Sequence, residues 1–350
     1  MQVKEYLKKA VNGKASDLFI LAGSPVIEKK DGHMVAMDAE ELQPEDTKRL
    51  ITQIYGMAGR ETDGYEETGD DDFSFAIAGL ARFRVNAYRQ RGSWAAVIRV
   101  VAFQIPAWKE LHIPEEVMKL ADVANGMILV TGTAGSGKST TQACIIDRIN
   151  TTKEAHIVTL EDPIEYLHTH KKSIISQREV AIDTEDYLSA LRACLRQAPD
   201  VILMGEMRDA ETIRTAMTAA ETGHLVIATL HTKGAVNTID RILDSIPSAQ
   251  QGQVRIQLSM VLRTVVSQQL VPATDGGLLP AYEIMHVDNA IRTMIRDNKN
   301  HQINNVISAG GAAGMITMDQ YLLNLYQENK INKQTLMDYC DNREQLSKRI

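Results

Sequence analysis

The stretch from residue 127 to residue 140 constrains the fold more than any other part of the sequence. It begins with a short apolar run, residues 127–130, continues with a glycine-rich loop, 132–139, and ends in a helix-compatible segment, 139–150. The loop fits G-x-x-x-x-G-K-[ST] in the strand–loop–helix context that a phosphate-binding loop requires. Small residues let successive backbone N–H groups point at phosphate oxygens, and a helix N-terminus adds favourable partial charge. The stretch therefore predicts a nucleotide-binding site.

The loop also supplies the candidate side chains of that site. We expect Lys138 to reach the β- and γ-phosphates and the Ser139 hydroxyl to hold Mg²⁺. A glycine-rich turn that matches by chance is the alternative, and the flanking strand and helix argue against it. The residues expected to bind nucleotide through this loop are Gly132, Thr133, Ala134, Gly135, Ser136, Gly137, Lys138, Ser139 and Thr140.

Length, charge and cysteine usage exclude several classes of protein. A chain of 350 residues is long for one core and predicts two domains. The net charge of −7 gives no basic footprint for nucleic acid or for a membrane surface. No apolar run approaches the length of a membrane span, and the N-terminus lacks a signal-peptide core. The three cysteines, Cys144, Cys194 and Cys340, are widely spaced, so we expect no zinc and a reducing cytoplasm.

The character of the sequence changes near residues 104–106. Before that point we expect a small α+β domain, residues 1–103, and after it a linker, 104–112. The second domain is predicted over 113–350, with C-terminal helices from about residue 288. Within the first domain, apolar spacing predicts a helix over 44–55.

Three strand-like segments lie in the second half of this first domain, at about 73–78, 82–89 and 93–101, with a turn signal at Arg91-Gly92. Their adjacency predicts an antiparallel meander. The acidic stretch before them, 61–72, is a candidate cation site, and a solvated loop is the interpretation that we favour.

After the linker, short apolar runs alternate with helical segments, which predicts a mostly parallel sheet flanked by helices. Ligands of such a sheet lie outside the carboxyl ends of its strands, so polar residues there share one edge. Four runs end in this way. They are 127–131 before the phosphate loop, 157–160 before Glu161-Asp162-Pro163, 201–204 before Gly205-Glu206, and 225–229 before Leu230-His231.

Hydrolysis of a nucleoside triphosphate needs a metal and a group that orients or deprotonates water. We expect Glu206 to be that base, Glu161 or Asp162 to hold Mg²⁺ or its water shell, and His231 to contact the γ-phosphate. Helix caps and a structural histidine are the plainer interpretations of these side chains. His224 precedes His231 by seven residues, about 20 Å along a straight strand, so we expect it to serve packing or an interface.

Hydrolysis also tends to need a cation on the developing negative charge, often an arginine of a neighbouring subunit. Arg82 and Arg84 share one face of a predicted strand, Arg99 lies on the next segment, and Arg192 and Arg196 are four apart on a predicted helix, 184–197. Solvated surface charges are the alternative for each of them.

Together these residues resemble the type II/IV secretion ATPase superfamily, most closely the pilus-retraction ATPases, over nearly the whole chain. The matching segments are Ala15-Ser16-Asp17-Leu18, Arg82-Phe83-Arg84-Val85-Asn86, the phosphate loop, Leu160-Glu161-Asp162-Pro163-Ile164-Glu165, the stretch 201–209, and the stretches 222–224 and 230–232.

The resemblance implies a RecA-like ATPase core in an α/β fold, with a smaller PAS-like α+β domain at the N-terminus. It also implies ATP and Mg²⁺ as ligands and a homohexameric ring. The ring would act on an inner-membrane platform protein of the pilus from the cytoplasmic side, with no nucleic acid as partner. Glu161 and Glu206 would be the catalytic carboxylates, with Lys138 and His231 beside them and Ser139 and Asp162 as metal ligands. The interface or phosphate-contacting candidates would be Arg82, Arg84, Arg99, Arg192, Arg196 and Arg208.

Two features favour retraction over assembly or secretion within the superfamily. First, assembly and secretion ATPases usually carry an extra N-terminal domain and a tetracysteine zinc element, and we expect neither in this chain. Second, residues 290–296 resemble the AIRNLIR motif of retraction ATPases except at Thr293 and Met294. Ala134 and Ala198 depart from the family pattern. The alternatives are an assembly or secretion ATPase, a nucleotide-binding assembly module with weak hydrolysis, and a small-molecule phosphotransferase.

Overall fold

The chain folds into two units in a computed structural model that describes residues 2–30, 32–101 and 105–350. The first unit contains residues up to 104 together with 165–167, and the second contains 105–164 and 168–350. The predicted linker, 104–112, starts at a residue outside the described ones. Each unit has its own sheet and its own core.

The first unit is built on an antiparallel sheet. Its described strands are β1 (Asp17–Ile20), β2 (Ile27–Lys30), β3 (His33–Ala36), β4 (Asp70–Ile77), β5 (Ala81–Gln90) and β6 (Ser93–Val101). They lie in the order β3-β2-β1-β6-β5-β4. The last three strands form the predicted antiparallel meander. Arg91 and Gly92 both have positive φ at the turn between β5 and β6, as a tight hairpin requires.

Among the described residues of this unit, the helices beside the sheet are α1 (Val3–Gly13), α2 (Pro44–Ala58) and α3 (Asp63–Thr68). The core is formed where apolar faces of α1 and α2 meet the sheet, with Leu7, Ile51 and Phe83 fully buried. The prediction of a loop over the acidic stretch is wrong for α3. Tyr65 belongs to α3 and is its buried residue, and it anchors this helical turn to the core while the neighbouring residues face solvent.

The second unit contains a seven-stranded sheet among its described residues. Its strands are β7 (Gly126–Thr131), β8 (His156–Glu161), β9 (Ile174–Glu179), β10 (Val201–Met204), β11 (Leu225–Leu230), β12 (Leu262–Pro272) and β13 (Leu278–His286). They lie in the order β13-β12-β7-β11-β10-β8-β9. All neighbouring pairs are parallel except β12 and β13. The predicted α/β class is therefore confirmed.

Helices cover both faces of this sheet. The helices of the second unit are α4 (Glu115–Met118), α5 (Lys138–Thr152), α6 (Tyr187–Cys194), α7 (Ala210–Glu221), α8 (Ala235–Asp244), α9 (Ser248–Val261), α10 (Asn289–Arg296), α11 (Ile303–Ala309), α12 (Met318–Gln327), α13 (Lys333–Tyr339) and α14 (Arg343–Ser347). Successive residues of β7 point to opposite faces: Met127 and Leu129 join the core that includes α6 to α10, and Ile128 and Val130 join the core that includes α5. No helix in the described part of the chain has the length and apolar character needed to cross a membrane.

Helix α6 is shorter than the predicted segment, 184–197. Asp186 accepts a hydrogen bond from the Ser189 backbone N–H at 2.7 Å and begins the helix as its N-cap. Thr184 instead pairs with Val180 in an isolated bridge. Arg196 therefore lies beyond the helix end, although its Nη1 still donates to the Arg192 carbonyl at 3.1 Å.

Candidate nucleotide-binding site

The glycine-rich loop joins the end of β7 to the start of α5. Gly132, Gly135 and Gly137 all have positive φ, where glycine is favoured over residues with a side chain. A Cβ at position 137 would stand 2.8 Å from Nε2 of Gln268 on β12, and one at position 132 would collide with the Gln268 carbonyl. Backbone conformation and the neighbouring strand together impose glycine at these two positions.

Lys138 and Ser136 are buried polar residues of this loop. The Lys138 ammonium donates to the carbonyls of Gly132 and Thr133 at 2.9 Å each, and only 8% of the residue is exposed. The Ser136 hydroxyl is buried and makes no hydrogen bond to any residue that the structure describes. A buried hydroxyl without a partner fits a phosphate oxygen that would satisfy it when a nucleotide binds.

The strand register places the other candidate side chains at the same sheet edge. β11 is the neighbour of β7, and β10 follows, with Met204 opposite Leu160 of β8. Gly205 continues this pairing, since its N–H donates to the Leu160 carbonyl at 2.7 Å. Glu161 and Glu206 therefore leave the ends of two adjacent strands.

Four side chains form a continuous polar chain across this edge. Nζ of Lys138 lies 3.5 Å from Nδ1 of His231, and Nε2 of His231 lies 3.4 Å from Oε1 of Glu206. Arg208 Nε donates to the other carboxylate oxygen of Glu206 at 2.8 Å, and this bond raises the pKa of Arg208. The structure thus brings Lys138, His231, Glu206 and Arg208 together.

Glu161 is held from its own side of the edge. Its Oε1 accepts hydrogen bonds from the Thr159 hydroxyl at 2.7 Å and from Nε2 of Gln177 at 3.2 Å. Asp162, the next residue, is exposed. Glu206, by contrast, is mostly enclosed, with 18% of its side chain exposed. The two carboxylates that we single out for catalysis are both positioned by hydrogen bonds.

Tyr187, at the start of α6, is a member of this edge that the sequence did not reveal. Its pKa is raised by burial first, and next by the negative charge of Asp162, with smaller effects of Glu206 and Glu161 in the same direction. The phenol is therefore within electrostatic range of three candidate carboxylates. In the sequence, a tyrosine in an amphipathic helix is interpreted as a core residue, and its spacing does not distinguish it from one.

A cavity of about 390 Å³ opens beside Glu206 and His231, and Arg208, Thr232 and Arg241 also line it. The loop after β11 forms one wall of this cavity, and two hydrogen bonds to side chains of β12 and β13 hold it in place. Ser267 accepts from the Gly234 N–H at 2.9 Å, and buried Glu283 accepts from the Ala235 N–H at 2.7 Å. These hydrogen bonds therefore restrict the movement of the segment that carries His231.

The donor set suits Mg²⁺ bound together with a nucleotide. Ser139 lies in the first turn of α5, and Asp162 follows β8. No cluster of three or more His, Cys, Asp or Glu side chains within the described ranges could hold a metal ion. Mg²⁺ commonly needs only one or two protein oxygens when phosphates and water complete its shell, so a hydroxyl and a carboxylate fit.

The predicted arginines lie at several separate places. Arg82 and Arg84 project from β5, on the face opposite buried Phe83 and Val85. Arg84 pairs across the sheet with Arg99, and both line a depression of about 210 Å³. Arg99 also forms an ion pair with Asp17 at 3.0 Å.

In the second unit, Arg192 forms an ion pair with Glu211, and Arg208 joins Glu206. His224 lies at the opposite end of β11 from His231, with its Nδ1 2.9 Å from the Ala219 carbonyl. The two histidines therefore lie at opposite ends of a six-residue strand, as their spacing predicts.

A phosphate loop at the centre of a mostly parallel sheet, with carboxylates and a histidine at the neighbouring strand ends, is typical of nucleotide-hydrolysing enzymes. Residues 1–346 match the family described as Type II/IV secretion system protein, and the chain belongs to that family.

Among characterised relatives, the chain is similar to the Type IV pilus retractation ATPase PilT of Pseudomonas aeruginosa. The two are 43% identical over 334 residues, which cover 95% of this chain and 96% of the relative. The twitching motility protein of Neisseria gonorrhoeae is also 43% identical over 334 residues, covering 95% of this chain and 88% of the relative. The crystal structure of the pilus retraction motor PilT with bound ADP superposes with a TM-score of 0.92, at 45% identity and 99% coverage of both chains.

Proposed function

We propose that this chain is an ATP-hydrolysing motor that drives type IV pilus retraction, and hence twitching motility, as a homohexameric ring. The observation that carries the proposal is the polar chain from Lys138 through His231 to Glu206, set beside a glycine loop shaped for phosphates. The near full-length similarity to PilT supports the direction of the work.

Each residue of the edge has a role in the proposed hydrolysis. The loop N–H groups, Lys138 and the Ser136 hydroxyl would hold the phosphates, and Ser139 and Asp162 would hold Mg²⁺. When bound, Mg²⁺ neutralises charge on the β- and γ-phosphates. The water oxygen bonds to the γ-phosphorus, the bond to the bridging oxygen breaks with its electron pair on ADP, and Glu206 takes the proton of the water.

Glu161 and His231 complete this arrangement. Glu161 is held by hydrogen bonds from Thr159 and Gln177 at the end of the strand next to that of Glu206, where it would order the water shell of a bound Mg²⁺. His231 contacts both Lys138 and Glu206, so it links the occupant of the phosphate loop to the base. This link gives the enzyme a means of responding to loss of the γ-phosphate.

The proposed ring needs cations from neighbouring protomers. The candidates are Arg82, Arg84, Arg99, Arg192, Arg196 and Arg208, which would contact phosphates or the adjacent subunit. An arginine supplied in this way makes hydrolysis depend on assembly. The ring would work at the cytoplasmic face of the inner membrane, against a platform protein of the pilus machine.

The test combines sizing of the protein, with and without a nonhydrolysable ATP analogue, and an ATPase assay with Mg²⁺. We expect a hexamer and hydrolysis of ATP without any second substrate. Lys138→Ala should abolish turnover, whereas Glu206→Gln should still bind ATP and turn over at least about 100-fold more slowly. Arg349→Gln, an exposed change near the C-terminus, serves as the control.

Three outcomes would contradict the proposal. Turnover only with an added acceptor would indicate a phosphotransferase, and tight ATP binding with no hydrolysis by the assembled protein would indicate an assembly module. Retained hydrolysis in the Glu206 variant would overturn its role as the base. A deletion strain separates the two directions of work, since loss of retraction leaves surface pili in place and loss of assembly removes them.

A further inference from the structure

The hydroxyl of Tyr187 lies directly over Gly205, the residue before the proposed base. A Cβ built on Gly205 would stand 2.5 Å from this oxygen, and also 3.3 Å from the Leu160 carbonyl. Gly205 has no positive φ, so its backbone conformation does not demand glycine. Glycine is required at position 205 because the phenol of Tyr187 occupies the space that a Cβ would need. Position 205 is therefore kept free of a side chain so that the hydroxyl can reach the strand ends.

The surroundings of this hydroxyl are strongly charged. Asp162, Glu206 and Glu161 act on it as negative charges and Arg208 as a positive one. A phenol is protonated at neutral pH even at its ordinary pKa of about 10, and burial together with these carboxylates raises the pKa of Tyr187 further. Tyr187 is thus a permanent O–H donor placed among three carboxylates.

This donor is unused in the protein itself. Within the described part of the chain the Tyr187 hydroxyl makes no hydrogen bond, and it is not among the enclosed polar atoms that lack a partner. Solvent therefore reaches it. Two of the three carboxylates are already engaged, since Glu206 accepts from Arg208 and Glu161 accepts from Thr159. An accessible donor next to satisfied carboxylates fits an oxygen acceptor that arrives with the substrate.

We propose that Tyr187 positions the attacking water, donating a hydrogen bond to the oxygen whose proton passes to Glu206. This inference rests on the hydrolysis proposed above. A water that donates to Glu206 and accepts from Tyr187 is fixed at two points, which orients its remaining lone pair toward the γ-phosphorus. The phenol keeps its own proton throughout the step.

Tyr187→Phe tests the role, because it removes the hydroxyl and keeps the ring that packs on the core. One lost hydrogen bond to the reacting water should lower kcat about 3- to 10-fold. The KM for ATP and the affinity for a nonhydrolysable analogue should change by no more than about twofold. The unfolding temperature and the assembled mass should stay the same within error. Tyr321→Phe, the same change in α12, is the matched control and should leave kcat unaltered.

Several outcomes would overturn the assignment. An unchanged kcat would show that the hydroxyl takes no part, and a proportionate loss of ATP affinity would show that it holds a phosphate instead. An equal loss in Tyr321→Phe would mark a general effect of losing a phenol. A shifted acidic limb of the kcat–pH profile would mean that Tyr187 acts on the basicity of Glu206. If the unsubstituted chain fails to hydrolyse ATP, the proposed function fails too, whereas equal rates in both proteins remove Tyr187 alone.

Discussion

The ammonium of Lys138 and the imidazole of His231 lie 3.5 Å apart, from Nζ to Nδ1, although 93 residues separate them in the chain. The contact exists because β7 and β11 are neighbours in register, with Thr131 opposite Leu230. The other imidazole nitrogen faces Glu206. A single ring therefore connects Lys138, which we propose to bind phosphate, with Glu206, which we propose to activate water.

His231→Ala should uncouple these two residues. We expect kcat for ATP to fall about tenfold or more, with affinity for a nonhydrolysable ATP analogue changed only a few fold, because the proposed phosphate-binding loop is untouched. Steady-state ATPase kinetics and a binding titration provide the measurement. His301→Ala, at an exposed position, is the control. Turnover at the unsubstituted rate would show that His231 does not link the two groups.

Ala198 offers a prediction about stability. Its φ is 50°, in the left-handed region, which costs a residue with a Cβ about 1 kcal/mol and costs glycine almost nothing. Ala198→Gly should therefore raise the free energy of unfolding by about 0.5–1 kcal/mol, measured as a shift in the urea midpoint. The control is Ala193→Gly within α6, which should cost about 1 kcal/mol because glycine disfavours helix. Destabilisation by both changes would refute the account.

His168 predicts a dependence of stability on pH. Burial lowers its pKa to about 4, and its Nδ1 is enclosed without a partner among the described residues. In the unfolded chain its pKa is about 6.5, so between those values the unfolded state binds more protons. Stability should fall as pH drops from about 6.5 to about 4, by up to about 3 kcal/mol, and this loss is complete below the folded pKa.

Urea unfolding of the unsubstituted protein and of His168→Gln, at several pH values from 7 to 4, isolates this contribution. The difference between the two proteins should change across that range, because the variant lacks the titrating ring. His301→Gln should follow the unsubstituted protein. Parallel profiles for His168→Gln and the unsubstituted chain would show that the ring is not kept neutral by burial.

The parts of the fold that sequence predicts well are those in which local pattern and long-range packing agree. The apolar runs of β7, β8, β10 and β11 are buried on both faces, so their composition alone marks them as central strands. Because parallel strands point the same way, knowing where each run ends was enough to place Glu206 and His231 at one edge.

The parts that sequence could not predict depend on contacts between distant residues. Gln268 sits in a buried strand and closes over the glycine loop, and its place follows from the register of β12 against β7. Tyr187 likewise cannot be distinguished from a core residue by sequence, because its contact with Gly205 at the end of β10 depends on the tertiary fold. Helix α6 is shorter than the apolar pattern predicts because Asp186 caps it at residue 187, and α3 forms in an acidic segment because Tyr65 within it is buried.

The close approach of Tyr187 to Gly205 can be measured as an energetic coupling. Gly205→Ala alone should destabilise the protein by about 1–3 kcal/mol, since the new Cβ would meet the hydroxyl at 2.5 Å and backbone atoms of Leu160 and Glu161 at 3.3 and 3.4 Å. In a Tyr187→Phe background the first of these collisions is gone, so the same change should cost less by about 1 kcal/mol.

The comparison needs urea midpoints for the two single variants and the double variant. Gly205→Ala combined with Tyr321→Phe gives the reference pair, and its costs should add because Tyr321 lies in α12, away from the collision. Additive costs in the Tyr187 pair would mean that the phenol moves aside freely. A coupling confined to that pair would instead show that Gly205 is glycine to admit the Tyr187 hydroxyl, whatever the hydroxyl then does during hydrolysis.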